Sequence, residues 1–179
     1  MQSEVVVAGF GGQGVLLAGQ LLAYAGLDAG REVTWIPSYG PEMRGGTANC
    51  TVVISTEEIG SPFVRHPQNV IVFNLPSLDK YEPQLAEGGL LVINGSLVPR
   101  TVERTDVKAV VVPANEIAEG LGSIKLTNMV LLGALIANWN GGLGMDEIQQ
   151  AMQGHLPEKA RKLLPQNIEA LKAGAGYKA

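Results

Sequence analysis

The stretch Val5-Val6-Val7-Ala8-Gly9-Phe10-Gly11-Gly12-Gln13-Gly14-Val15-Leu16-Leu17 decides how the rest of the chain is read. It opens as a short apolar, β-branched run, passes through a glycine turn and continues into helix-compatible sequence. Gly9, Gly11 and Gly14 fit the G-x-G-x-x-G spacing, and Gly12 beside Gln13 adds a fourth glycine. The order of the elements matters more than the spacing. A strand delivers the chain to a tight turn, and backbone without side chains lets a ligand come close. The helix that follows points its free N–H groups at that space. An anion, most often a phosphate, is what such a turn accommodates best. The alternative is that the glycines only permit close packing of strand against helix.

Downstream, Leu16, Leu17, Ala18, Leu21, Leu22 and Ala25 form an apolar stripe that predicts a helix over 13–27, ended by Gly26 or Gly30. A second strand follows at 33–36. In a nicotinamide-binding unit that strand ends in an acid that holds the ribose. Here it runs into Pro37-Ser38, and Glu32 stands before it, so NAD is not the favoured ligand. The connection 37–47 is dense in helix and strand breakers and carries Tyr39, Gly40, Glu42, Met43, Arg44, Gly45 and Gly46. Arg44 offers a planar fork suited to phosphate or carboxylate; its alternative role is a local pair with Glu42 that braces the loop.

Residues 48–55 alternate, with Ala48, Cys50, Val52 and Ile54 on the more apolar side, which predicts a strand near a sheet edge or running antiparallel. Cys50 on that side reads as a small core residue rather than a nucleophile. Buried-type strands follow at 70–73, 90–93 and 109–112, with helices expected over 77–86 and 114–121. Asn74 and Asn94 close two of the strands and either line a crevice or cap their own turns. Thr127 is placed to cap a helix over 128–139 that is apolar nearly all round, so part of its surface is expected to face another subunit. Amphipathic helices are expected over 145–152 and 157–173, with 174–176 fraying.

Composition narrows the function. The 179 residues predict one domain, and 46% hydrophobic with 17% charged residues is ordinary for a globular protein. A net charge of −4 argues against nucleic acid, and no apolar run is long enough to predict a membrane span. Met1-Gln2-Ser3-Glu4 lacks the basic start of a signal peptide, which predicts a cytoplasmic location. One cysteine and two histidines cannot supply an iron–sulfur cluster or a multi-histidine metal site.

Together, the 9–14 turn and Ser38-Tyr39-Gly40-Pro41-Glu42-Met43-Arg44-Gly45-Gly46 resemble the gamma subunit of the 2-oxoacid:ferredoxin (acceptor) oxidoreductases. The second motif is the more diagnostic. The likeness continues through Ile59-Gly60-Ser61-Pro62, the 74–77 and 88–96 segments and 127–134, and Ser61-Pro62 is most similar to the 2-oxoglutarate type. The resemblance implies a three-layer α/β/α, Rossmann-like fold, with a mostly parallel sheet and helices on both faces. It also implies a chain that works beside alpha and beta subunits, and in some enzymes a ferredoxin-like delta subunit. Such enzymes convert a 2-oxoacid, coenzyme A and oxidised ferredoxin to acyl-CoA, carbon dioxide and reduced ferredoxin. By the same resemblance, thiamine diphosphate, magnesium and the iron–sulfur clusters belong to the partners, and coenzyme A is a ligand shared with this chain. The expected contacts to it are Gly9, Gly11, Gly12, Gln13 and Gly14, with Tyr39, Gly40, Glu42, Met43, Arg44, Gly45 and Gly46. No catalytic residue is assigned. Two other classes stay open: a free-standing nucleotide-binding module and a purely structural scaffold. An isolated chain that self-associates through 128–139 is a further expectation.

Overall fold

The computed structural model describes residues 1–40 and 45–179. Their centre is one six-stranded sheet in the order β2-β3-β1-β4-β5-β6. The strands are β1 (Gln2–Phe10), β2 (Glu32–Tyr39), β3 (Thr47–Ser55), β4 (Asn69–Val72), β5 (Leu90–Asn94) and β6 (Lys108–Val112). Antiparallel β3 pairs with both β1 and β2, and β1, β4, β5 and β6 pair parallel in succession, so β3 alone runs against the rest. The sheet is therefore mostly parallel, as expected.

Alternation along the strands sorts side chains to two faces. Val5, Val7, Ile71, Phe73 and Val92 enter one core; Val6, Ala8, Val70, Val72 and Leu91 enter the other. Continuous apolar runs appear because both faces are covered, although unequally. The first face carries α1 (Val15–Asp28), α3 (Ala114–Gly120), α4 (Thr127–Asn138), α5 (Met145–His155) and α7 (Leu164–Ala175), with the short α6 (Glu158–Arg161) between the last two. The second carries α2 (Leu75–Tyr81) and the segments around Leu85, Val98, Val102 and Val107. The arrangement is a three-layer α/β/α fold.

Several boundaries differ from expectation. β2 runs on through Pro37, which pairs with Cys50, and ends at Tyr39. Proline is tolerated there because β2 is an edge strand whose missing N–H faces outward. The supposed long connection is thus the tip of a β2–β3 hairpin. Gly26 lies buried inside α1, and Gly30, at φ +72°, follows the helix end. The helix expected over 77–86 begins earlier, at Leu75, and gives way to a 3-10 turn over Glu82–Gln84. Thr127 does not cap α4: its hydroxyl donates back to the Ile124 carbonyl at 2.7 Å. The segment 157–173 breaks into α6 and α7, because Pro165 fits only the first turn of a new helix. Gly174 does not fray. It is buried in α7, and a Cβ there would stand 1.8 Å from the Val130 carbonyl oxygen.

That contact also corrects the reading of α4. Residues 127–136 are all buried, between the sheet on one side and α7 on the other. Gly133 presses against Leu171 and Gly174 against Val130, so two glycines let the helix backbones touch. The apolar circumference of α4 is satisfied within the chain, and it offers no free face for self-association.

Candidate functional site

The glycine turn lies at the carboxyl ends of the parallel strands. The chain leaves β1 through α1 toward β2 on one side of the sheet, whereas β4 lies on the other side of β1. A crevice opens at such a switch point. Two side chains tie its walls together. Gln13 Oε1 accepts from the Phe10 N–H at 2.7 Å and from Asn74 Nδ2 at 3.2 Å, while Asn74 Oδ1 caps α2 through the Ser77 N–H. Of its two expected roles Asn74 takes the second, closing its own turn; it does not line the cleft beside the glycine turn but braces that turn through Gln13.

The glycines divide by role. Gly9 is buried, and a Cβ there would stand 2.7–2.8 Å from Gln13 Oε1, Phe73 Cβ and Val15 Cγ2, so this glycine serves close packing. Gly12 and Gly14 have φ of +94° and +77°, a region that glycine enters without steric cost. Gly14 is also the first residue before α1, and its carbonyl accepts from Asn128 Nδ2 at 3.2 Å. Of the N–H groups from Gly11 to Gly14, two are engaged: Gly11 donates to the Gly46 carbonyl at 2.8 Å and Gln13 to the Phe10 carbonyl at 3.2 Å. Among the described residues the N–H groups of Gly12 and Gly14 have no hydrogen-bond partner.

The Gly11–Gly46 bond joins the two motifs singled out in the sequence. Gly45, at φ +72°, and Gly46 bring the hairpin back onto the turn, and Gly40 donates to Thr47 across the hairpin. Tyr39, at the end of β2, is 69% exposed. Pro41, Glu42, Met43 and Arg44 lie outside the described residues. Glu32 pairs with Ser55, which pairs with Gln2, and so stands at the end of the sheet opposite the glycine turn. Among the described residues no acid occupies the ribose-holding position at the end of β2.

A cleft of about 130 Å³ opens beside the turn, lined by Gly12, Gln13, Asn115, Ile124, Lys125 and Thr127. Asn115, Ile124 and Lys125 were not anticipated, because sequence spacing does not show that the α3–α4 connection folds back over the turn. A polar network fixes that connection. Asn94, fully buried, donates to the Phe73 carbonyl and to Asn115 Oδ1, which lies 3.3 Å from the Thr127 hydroxyl. Two larger clefts, of about 430 and 450 Å³, lie elsewhere. The first is at the opposite end of the strands, beside Asn69 and Trp139; the second is among the ion pairs of Arg100 and Arg104. Neither touches the glycine turn.

Cys50 is buried against α1, and burial pushes its thiol up to about 12, the indole of Trp35 only partly offsetting this. A thiol so held is neither nucleophile nor cluster ligand. Among the described residues no group of three or more His, Cys, Asp or Glu side chains could hold a metal ion. No helix among them is long and apolar enough to cross a membrane.

Comparison with known proteins agrees with this fold. Residues 4–177 match the family model described as pyruvate ferredoxin/flavodoxin oxidoreductase. A ketoisovalerate oxidoreductase subunit VorA from Methanothermobacter thermautotrophicus is 40% identical over 97% of this chain, which spans only 36% of that relative's length. The 2-oxoglutarate synthase subunit KorC of Methanothermobacter marburgensis is 35% identical, with 97% of this chain and 95% of the relative covered. The fold matches a keto/oxoacid ferredoxin oxidoreductase gamma subunit from Geobacter sulfurreducens at a TM-score of 0.82 and 27% identity, covering 97% of this chain and 96% of that one. It also matches a 2-oxoglutarate:ferredoxin oxidoreductase from Magnetococcus marinus with 2-oxoglutarate, coenzyme A and succinyl-CoA bound, at a TM-score of 0.86 and 25% identity. That match covers 98% of this chain and 30% of the other. The chain belongs to the pyruvate ferredoxin/flavodoxin oxidoreductase family, and over nearly its whole length it is similar to the gamma subunits of oxoacid:ferredoxin oxidoreductases.

Proposed function

We propose that this chain is the gamma unit of a 2-oxoacid:ferredoxin oxidoreductase, where it presents the phosphates of coenzyme A to an active site built mainly by partner subunits. The observation that carries this is the unpartnered N–H of Gly12, a residue lining a small cleft at the switch point of the sheet, with the unpartnered N–H of Gly14 two residues on at the start of α1. The solved 2-oxoglutarate:ferredoxin oxidoreductase, a relative of the same fold, binds coenzyme A. Thiamine diphosphate, magnesium and iron–sulfur clusters reside on the alpha, beta and delta-type partners in this reading, and ferredoxin takes the electrons. The lone buried thiol of Cys50 could not ligate a cluster.

The relatives divide between ketoisovalerate and 2-oxoglutarate enzymes. We assign 2-oxoglutarate or a related 2-oxoacid, with the oxoacid chosen by side chains of the partners. The test is the apparent KM for coenzyme A in the assembled enzyme. Gly12→Asp adds a carboxylate on a Cβ with no described atom within 4 Å and is expected to raise it at least tenfold. Arg44→Ala is expected to raise it as well. Unchanged coenzyme A kinetics in both variants would sink the reading. Loss of assembly, with normal kinetics in the complex that remains, would leave the chain a scaffold.

A further inference from the structure

We propose that Lys125 supplies the cation that pairs with the phosphate held at the glycine turn. The inference rests on the coenzyme A reading and adds the residue that completes the anion's surroundings within this chain. The chain is acidic overall, so an anion must be met by a local positive charge rather than by the protein's general field. Among the described basic residues, Lys125 is the one that lines the cleft beside Gly12 and Gln13. The cleft is well below the roughly 300–1,000 Å³ that encloses a whole small-molecule ligand, which suits it to phosphate rather than to a nucleoside.

The wall carrying Lys125 is fixed, although its side chain is exposed. A 3-10 turn over Ile124–Leu126 begins at Ser123, whose Oγ accepts from the Lys125 N–H at 3.3 Å. Leu126 is buried beneath it, and the Thr127 hydroxyl holds the Ile124 carbonyl from below. Lys125 makes no ion pair among the described residues, whereas Arg100 and Arg104 are each paired with carboxylates. A compact ammonium on a flexible stem can follow a phosphate through its positions without demanding one geometry. Gly12, with its unpartnered N–H, and Lys125 line one cleft and make an anion site that does not need the hairpin tip.

The experiment uses the assembled enzyme and coenzyme A as the varied substrate. Lys125→Gln is expected to raise the apparent KM about tenfold, to change kcat less, and to flatten the rise of KM with ionic strength. Lys125→Arg should restore most of the affinity. Lys172→Gln removes the same charge from α7 and should leave KM within about twofold. If Gly12→Asp raises KM and Lys125→Gln does not, the glycine turn keeps its role and Lys125 has no part in holding the phosphate. An equal effect of Lys172→Gln would also overturn the contact, since it would mark a general field effect. If neither Gly12→Asp nor Lys125→Gln moves KM, both readings fall together.

Discussion

Glu82 brings a carboxylate into a setting where it is 3% exposed. Burial alone would push its carboxyl up. The Arg104 N–H, the Arg100 guanidinium and the Glu103 N–H outweigh that and hold it below the usual glutamate range. The hydrogen bonds measure 3.0 Å from Arg104 and 2.6 Å from Glu103, and Arg100 pairs at 2.8 Å. Together they pin the 100–106 segment over the thinner face of the sheet. Glu82→Gln keeps the shape but removes the charge, so it should lower unfolding free energy by about 2 kcal/mol at neutral pH. A carboxyl lowered in the folded state stabilises above its unfolded titration range, and this is lost as pH falls through the folded-state value. Wild type and variant should therefore converge in acid. Parallel curves of denaturant midpoint against pH would contradict the assignment. The same residue scale separates Gly9, enclosed by side chains, from Gly12, whose Cβ position has no described atom within 4 Å. One spacing motif holds a packing glycine and one that lines a cleft, and the letters alone do not distinguish them.

At the scale of elements, the decisive contact is α4 against α7. A Cβ on Gly133 would stand 1.9 Å from the Leu171 carbonyl oxygen, a backbone atom that can move only with its helix. Gly133→Ala should cost about 3 kcal/mol in urea unfolding, near the upper end for overpacking, with loss of hydrogen-exchange protection concentrated in α7. Gly154→Ala in α5 is the matched control, because nothing lies within 4 Å of its Cβ position. There the change should stabilise by about 0.5 kcal/mol. Equal effects at the two sites would mean that helix contact is not what Gly133 provides. The β2–β3 hairpin is the other element whose meaning changed. Its pairing reaches Tyr39 and Ala48, Gly40 donates to the Thr47 carbonyl beyond them, and the Gly46 carbonyl accepts from the Gly11 N–H. The hairpin and the glycine turn therefore form one assembly, not two motifs that happen to occur in order.

At the scale of the whole molecule, the sheet has one helix-rich face and one thinly covered face. Phe63 is 83% exposed, and the edge strand β2 leaves Ile36 and Tyr39 exposed as well. The cleft at the turn is too small to enclose a coenzyme. Both features fit a unit whose ligand is completed by another chain. The purified chain, titrated calorimetrically, should give no heat with NAD and weak binding, at best high micromolar, with coenzyme A. Tight NAD binding would return the dinucleotide reading that the position of Glu32 argues against.

The sequence by itself determined the alternation of strands and helices, the strand–turn–helix at residues 5–17, the core role of Cys50 and the family. Each is written in local periodicity, glycine placement or motif order, which survive without knowledge of the fold. Tertiary structure decided what covers what. That α7 seals α4, that Gly11 is bound to Gly46, and that Asn115 and Lys125 close the cleft opposite Gly12 all join residues far apart in the chain. Their signal lies in contact and not in spacing. An all-apolar helix reads the same whether its second face meets a partner or its own last helix, and only the fold shows that α4 meets its own.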